Sequence, residues 1–438
     1  MNPKLLFVNP YIHDFAAYDL WMKPLGLYWI AGYLKNHGFE IEMIDCVERY
    51  HPAWLERQGI KRPKGNHYGC GHIPFTVIPK PSLYAGMKRY YRRFGMPVDL
   101  FKKLLRQIER PDAILVGSMM TYWYPGVFET ISLVKEAFPD VPLALGGVYA
   151  TLCPDHARKF SGADLVVEGP GEVKALKWLD DLLGTVREYP EEEILPVDRL
   201  PMPAHHFLPL HSPAVIATSL GCPLHCTYCA SRILQPTLRQ RPLSKVMEEI
   251  VHLVHKRHVH HIAFYDDALL VNAENHIVPI LKEVAKRALQ VSFHTPNGIH
   301  ASLMTPLLAE SFLAASVQTI RFSYERRPVF SPDQAPCVED KELRKAIECL
   351  NEAAAKHKGR CRTEVYVKTG LPGQSDEEIA EAFAFVHRLG AHIKIADYSP
   401  VPGTPDFDKT MSMYGIDGKE PLYHNNTALQ HFTGQDRK

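Results

Sequence analysis

The chain has 438 residues, 46% of them hydrophobic and 23% charged, with a formal net charge of +1. At roughly 100–200 residues per domain, that length predicts two or three domains with cores of ordinary size, and the even charge gives no call for nucleic acid or a membrane surface as partner. No run of about 18 apolar residues marks a membrane span. The start MNPKLLFVNPY carries no secretory signal, so the expected compartment is the cytoplasm, and an odd count of nine cysteines argues against a disulfide framework.

Leu5–Val8 is a short apolar strand closed by Asn9-Pro10, Leu25–His37 has helical spacing and stops at Gly38, and Phe39–Ile44 alternates as a strand. Residues 47–98, rich in Pro, Gly, Arg and Tyr, then interrupt the series and read as a long insertion, either a substrate cover carrying Tyr68, Cys70 and His72 or a packing flap. Lys88 to Arg110 collects eight basic residues with Tyr90, Tyr91 and Phe94 among them, a solvated helix face in preference to a nucleic-acid patch. Strands follow at Ala113–Val116, Pro142–Leu145 and Asp164–Val167, with helices at Val127–Phe138 and Val173–Leu183. This βα series predicts an α/β domain over residues 1–183, a doubly wound, Rossmann-like parallel sheet. Ligands of such sheets bind beyond the carboxyl ends of the strands, here Asn9-Pro10, Gly117-Ser118, Gly146-Gly147 and Glu168-Gly169.

Residues 184–213 hold six prolines and the run Glu191-Glu192-Glu193, a linker signature. From Ala214 the alternation restarts, with strands at Ala214–Ser219, Ile262–Tyr265, Val291–His294, Thr319–Tyr324, Thr363–Val367 and His392–Ala396. Helical patterns lie between them, and Ser375 with Glu378 makes a capping box for the last. Six βα units predict a partial (β/α)6 barrel of TIM type over 214–405, with its chemistry at the carboxyl ends of the strands. A short polar tail, 406–438, follows.

Directly after the first of these strands stands Ser219-Leu220-Gly221-Cys222-Pro223-Leu224-His225-Cys226-Thr227-Tyr228-Cys229. The other six cysteines (46, 70, 153, 337, 349, 361) are scattered. Three thiolates on one loop suit a soft metal centre, zinc or iron–sulfur. Structural zinc takes four ligands, usually as separated pairs, and His225, between two cysteines, is badly placed to be the fourth. Three ligands suit a 4Fe–4S cluster with one iron open; the alternatives are a trio of ordinary cysteines or an atypical zinc knuckle.

CPLHCTYC resembles the CxxxCxxC signature of the radical S-adenosylmethionine superfamily, including the aromatic Tyr228 before the last cysteine. The resemblance implies a 4Fe–4S cluster on Cys222, Cys226 and Cys229, S-adenosylmethionine on the open iron, and reductive cleavage to a 5′-deoxyadenosyl radical. It continues through the later strand ends. Asp266 and Asp267 stand where family members place acidic residues near the methionine amine, Asp266 being the first candidate; the alternative for such a pair is a turn or cap. Asn297 ends the third strand. Arg321-Phe322-Ser323-Tyr324-Glu325 occupies the place of a Gly-x-Glu-Ser pattern, from which it departs, and implies ribose contacts at Ser323 and Glu325. Gly370-Leu371-Pro372-Gly373 is similar to the region beside the adenine, and Tyr398-Ser399-Pro400 opens a run similar to YSPxPGTP. The implied S-adenosylmethionine contacts are therefore Tyr228, Asp266, Asp267, Asn297, Ser323, Glu325, Gly370, Pro372, Gly373, Ser399 and Pro400. No substrate acid or base is assigned beyond the cluster.

The first 183 residues resemble the cobalamin-binding domain that precedes the barrel in one branch of that superfamily. The residues that carry this are Asn9, Pro10, Pro24, Gly26, Gly117, Ser118, Thr121, Gly146, Gly147, Val148, Gly169 and Glu172. The cobalt-ligating motif DxHxxG is absent, as it often is in this branch, and His13, Tyr122 and Trp123 read as packing residues. A degenerate Rossmann-like domain that binds nothing is the alternative. The implied function is cobalamin-dependent methylation of an unactivated carbon in a small-molecule substrate, with an electron donor such as flavodoxin or ferredoxin. Second stands a radical oxidoreductase, cyclase or rearranging enzyme with cobalamin non-methylating or absent, and third a non-catalytic iron–sulfur binding protein.

Overall fold

A computed structural model describes residues 2–190, 193–326, 338–357 and 361–434; Glu191, Glu192 and Cys337 lie outside them. The class is α/β with parallel sheets. The chain divides into two compact units, residues 1–212 with 414–438, and residues 213–413. Among the described residues no helix is long and apolar enough to cross a membrane.

In the first unit a five-stranded parallel sheet runs in the order Leu165–Val166, Leu143–Leu145, Ala113–Val116, Lys4–Asn9, Glu40–Asp45. The central strands read LLFV and AILV without a polar residue, as strands covered on both faces do, and Leu6, Phe7, Val8 and Ile114 are fully buried. Leu6, Val8, Ile114 and Val116 pack with Val127, Ile131 and Val134 of the Tyr124–Ala137 helix and with Leu100 and Phe101 of the Val98–Leu105 helix. Uniform strand direction leaves Asn9, Gly117, Gly146 and Gly169 along one rim. The proline-rich stretch lies along the Leu25–Asn36 helix. Ala204 N donates to Tyr28 O at 2.8 Å, and the Met202 carbonyl comes so near Gly32 that a Cβ there would meet it at 2.5 Å.

The insertion is folded. Phe75–Ile78 and Tyr91–Phe94 form an antiparallel sheet with Ile12–Asp14, and Gly71–His72 pairs with Tyr18–Asp19. This corrects the reading of Lys88 to Arg110 as one solvated helix face: Tyr91–Phe94 is a strand with Tyr91 and Phe94 buried, and only Val98–Leu105 is helical. Buried charges fasten the insertion. Arg49, 1% exposed, donates to the carbonyls of His72 (2.9 Å), Gly69 (2.8 Å) and Lys64 and faces Asp19 at 3.5 Å. Lys23 meets Glu48 at 2.6 Å, both side chains buried.

The C-terminal residues are built into the first unit. Leu422 and Ala428 join a cluster with Phe15, Tyr84, Met87 and Tyr91. Tyr84 Oη donates to Leu422 O at 2.6 Å, Asn425 Nδ2 donates to Asp14 Oδ1 at 2.9 Å, and His424 Nδ1 meets Thr121 Oγ1 at 3.0 Å.

In the second unit six parallel strands lie side by side in chain order: Ala214–Ile216, His261–Phe264, Ser292–His294, Val317–Tyr324, Arg362–Thr369 and His392–Asp397. Parallel neighbours need crossover connections, supplied by helices such as Leu243–Arg257, Ile277–Lys286 and Asp376–Arg388. The capping box is present: Glu378 N donates to Ser375 Oγ at 3.1 Å, and Ser375 N to Glu378 Oε2 at 2.8 Å. The stretch read as one strand, Ala214–Ser219, is two. Ser219–Leu220 leaves the sheet and pairs antiparallel with Arg239–Gln240.

Two predictions follow from the buried groups of the first unit. Arg49→Met strands Asp19 and three carbonyls without their cation, a loss of about 3–5 kcal/mol for a broken buried pair, so limited proteolysis should cut within residues 47–98 faster in the variant than in the wild type. Burial also pushes the His424 imidazole down to about 4, against roughly 6.5 in an unfolded chain. A detached tail takes up a proton that the docked tail refuses, so lowering the pH from about 6.5 toward 4 favours detachment, by up to about 3 kcal/mol. Hydrogen exchange of residues 421–432 should rise across that window, and His424→Gln should flatten the rise.

Candidate active site

The cysteine loop starts from a clamp. Asp266, 3% exposed, accepts four hydrogen bonds: from Thr218 N (3.0 Å), Ser219 N (2.6 Å), Thr218 Oγ1 (2.6 Å) and Ser219 Oγ (2.7 Å). Because the Thr218 hydroxyl proton points at Asp266, the neighbouring His276 donates to Thr218 Oγ1 from Nε2, at 2.9 Å. Burial lowers the His276 pKa. Arg241 donates to Ala217 O at 2.7 Å and pairs with Glu249 at 2.7 Å, both side chains buried. Gly221, at φ +83°, lies so close to the Thr237 carbonyl that a Cβ would meet it at 2.4 Å, so position and conformation both demand glycine.

From this base Cys222 is buried, Cys226 intermediate and Cys229 exposed. Burial raises the Cys222 thiol and pushes Cys226 up to about 11, with Glu325 adding to the second shift. Such thiols lose their protons to a metal rather than to water. Three cysteines on one loop suit a 4Fe–4S cluster with one iron left open. His225 is exposed and faces Arg232, outside the trio.

The other residues nominated from the sequence lie along the same rim of the sheet. Asp266, the first candidate for the methionine amine, is committed to the loop through both oxygens. Asp267 is the carboxyl left facing outward, and the protein around it and the charge of Asp266 raise its pKa. Asn297 Nδ2 donates to Tyr265 O at 3.1 Å. Tyr228 Oη donates to Glu325 Oε2 at 3.1 Å, joining the loop to the end of the fourth strand. Ser323 lies against Gly298, where a Cβ would fall 1.9 Å from its Oγ. Gly370 and Gly373 take positive φ, +78° and +86°, Pro372 O accepts from Lys409 Nζ at 3.2 Å, and Ser399 and Pro400 follow the sixth strand. Sequence reasoning missed Thr218, Ser219, His276 and Lys368. Lys368 Nζ stands 4.3 Å from the centroid of the Tyr228 ring.

In the first unit the nominated polar side chains are turned inward. Asn9 Nδ2 donates to Asp45 Oδ1 at 2.7 Å, Ser118 Oγ to Gly146 O at 2.7 Å, and Thr121 meets His424. Gly147, at φ +99°, sits where a Cβ would strike Ser118 O at 2.3 Å, whereas Gly26 and Gly169 border open space. Gly117 packs on Leu27; Pro10 and Pro24 are buried, while Val148 and Glu172 are half-buried at helix starts. His13 Nε2 is held by Glu129 at 2.7 Å. A small cavity at this rim is lined by Asn9, Pro10, Tyr11, Ile12, Val47, Met119, Trp123 and Val127.

No family model matches the sequence. Curated relatives include an uncharacterized methyltransferase of Pyrococcus horikoshii, 23% identical over 259 residues (53% of this chain, 56% of the relative). Cytidylyl-2-hydroxyethylphosphonate methyltransferase of Streptomyces wedmorensis is 21% identical over 381 residues (74% of this chain, 65% of the relative). The chain thus spans less than two thirds of the length of either. Among solved structures, the radical S-adenosylmethionine methyltransferase TsrM of Kitasatospora setae, with cobalamin and a [4Fe-4S] cluster bound, matches with a TM-score of 0.67 at 15% identity over 95% of this chain and 76% of that one. In fold the chain resembles that solved structure.

Replacing Asp266 tests the clamp. Asp266→Ala leaves two backbone N–H groups and two hydroxyls buried without an acceptor, at about 1–3 kcal/mol each. Iron retained per chain after anaerobic reconstitution should fall at least several-fold, whereas Asp267→Ala should load iron like the wild type; equal loading of all three proteins would refute the clamp.

Proposed function

We propose that this chain is a cobalamin-dependent radical S-adenosylmethionine methyltransferase that acts on an unactivated carbon of a small molecule. The observation that carries it is the three-cysteine loop, seated on Asp266 at the carboxyl rim of six parallel strands in chain order. The finer fold reading goes with it: a doubly wound, Rossmann-like cobalamin domain in the first unit and a partial (β/α)6 barrel in the second. When bound, the 4Fe–4S cluster supplies the electron that cleaves S-adenosylmethionine, and the corrinoid supplies the methyl group.

The chain's own residues bind and orient. Cys222, Cys226 and Cys229 hold the cluster, and the exposure of Cys229 gives an electron donor of the flavodoxin or ferredoxin kind its approach. Asp267 accepts from the methionine ammonium in place of the committed Asp266. Glu325 has one oxygen engaged by Tyr228 and offers the other to the ribose hydroxyls, beside Ser323 and Asn297. Gly370 and Gly373 present backbone to the adenine without a side chain in the way, flanked by Pro372, Ser399 and Pro400. In the first unit the rim glycines, with Val148 and Glu172 at helix starts, leave room for the corrinoid's nucleotide-like tail. His13 is tied to Glu129 and serves as a packing residue, not a cobalt ligand.

Protein expressed with a cobalamin supply, reconstituted anaerobically with iron and sulfide and then desalted, should carry near one cobalamin and about four irons per chain. Four irons without cobalamin would remove the methyltransferase reading and favour the oxidoreductase or cyclase class. Zinc in place of iron would remove the radical chemistry altogether.

A further inference from the structure

One face of the second sheet holds more positive charge than it neutralises. The register pairs Arg321 with Glu364, Ser323 with Tyr366, Tyr366 with Lys394, and Lys368 with Ala396. Alternation puts Arg321, Ser323, Glu364, Tyr366, Lys368 and Lys394 on one face, while Phe322, Tyr324, Val365 and Val367 bury into the other. Lys368 lies against the Tyr228 ring, so the polar face is the one that meets the cysteine loop.

Glu364, its side chain 4% exposed, is met by Arg321 at 2.6 Å, Arg362 at 2.9 Å and Lys394 at 3.6 Å. One carboxylate among three cations leaves two positive charges. Arg321 is 9% exposed, and its Nη1 is buried without a hydrogen-bond partner among the described residues. A buried guanidinium with an unused donor is costly unless an acceptor arrives. Its further partner Tyr366 is an uncharged phenol, so a ligand anion is what can meet the surplus charge.

We propose that Arg321 and Lys394 form a subsite for an oxyanion group of the substrate, a carboxylate or a phosphate or phosphonate. This rests on the methyltransferase reading and names the substrate's chemical class. Arg321 stands four residues before Glu325, roughly 13 Å along a strand. The subsite is therefore distinct from the rim where S-adenosylmethionine presents its own carboxylate, and the substrate reaches inward with its anionic end while its reacting carbon stays near the loop.

The test is equilibrium dialysis of labelled inorganic phosphate and, separately, acetate against the reconstituted protein, with S-adenosylmethionine affinity and iron content measured on the same samples. At least one oxyanion should bind, and both Arg321→Met and Lys394→Met should weaken it at least tenfold without changing S-adenosylmethionine affinity; which probe binds separates phosphorus oxyanions from carboxylates. Lys394 has a side chain 42% exposed, so its replacement keeps the fold even if that of Arg321 does not, and Arg321→Lys should restore part of the binding. No oxyanion binding in the wild type, binding indifferent to Lys394→Met, or S-adenosylmethionine affinity falling in step with it would overturn the subsite. Absent iron or S-adenosylmethionine binding in the wild type would instead strike the methyltransferase reading, with the oxyanion result still legible.

Discussion

The four hydrogen bonds into Asp266 set the starting direction of everything that follows Ser219. A buried carboxyl group needs its oxygens hydrogen-bonded, and two backbone N–H groups and two hydroxyls of adjacent residues supply those bonds. The clamp ties the end of the second strand to the exit of the first, so the base of the cysteine loop is fixed by the protein before any metal arrives. Preorganisation of this kind lowers the cost of assembling a site. His276 and the Arg241–Glu249 pair extend the same network away from the loop, so that its far side is bonded as well.

Buried charges do comparable orienting elsewhere. Apolar packing is indifferent to small rotations, whereas an ion pair or a guanidinium shared among carbonyls has one direction. Arg49 gathers three carbonyls and Asp19 to hold the insertion, and Lys23 does so with Glu48. Such pairs add little net stability, because desolvation offsets much of their attraction; what they fix is which loop goes where. The contrast lies at Arg321, whose pair with Glu364 leaves a donor over.

How much of this was legible in the sequence depended on the range of the interactions. The eleven sheet strands were visible because continuous apolar runs such as LLFV and AILV, and alternation such as that at 319–324, are local signals. The glycine stops and the Ser375 capping box were visible for the same reason. The insertion was not: Tyr91–Phe94 pairs with Ile12–Asp14 across about 80 residues, and strands that short carry almost no periodicity. The role of Asp266 was also hidden. An acidic pair at a strand end reads the same whether its first member faces a ligand or two amides 48 residues earlier, and only the fold separates the inward Asp266 from the outward Asp267. The tail looked polar because its anchors, His424 and Asn425, are polar residues that are buried against partners some 300 and 400 residues away.

The alternation in the longer strands of the second unit carries one more step. Parallel strands covered on both faces are apolar throughout, as Leu5–Val8 and Ala113–Val116 are. Val317–Tyr324 and Arg362–Thr369 are parallel, central and largely buried, yet every second residue is polar: Thr319, Arg321 and Ser323 on one, Glu364, Tyr366 and Lys368 on the other. A parallel sheet that keeps one polar face has a reason to keep water or a ligand there. The departure of two strands from the composition expected of their neighbours in the first unit therefore marks, from the sequence upward, the face on which the second unit works.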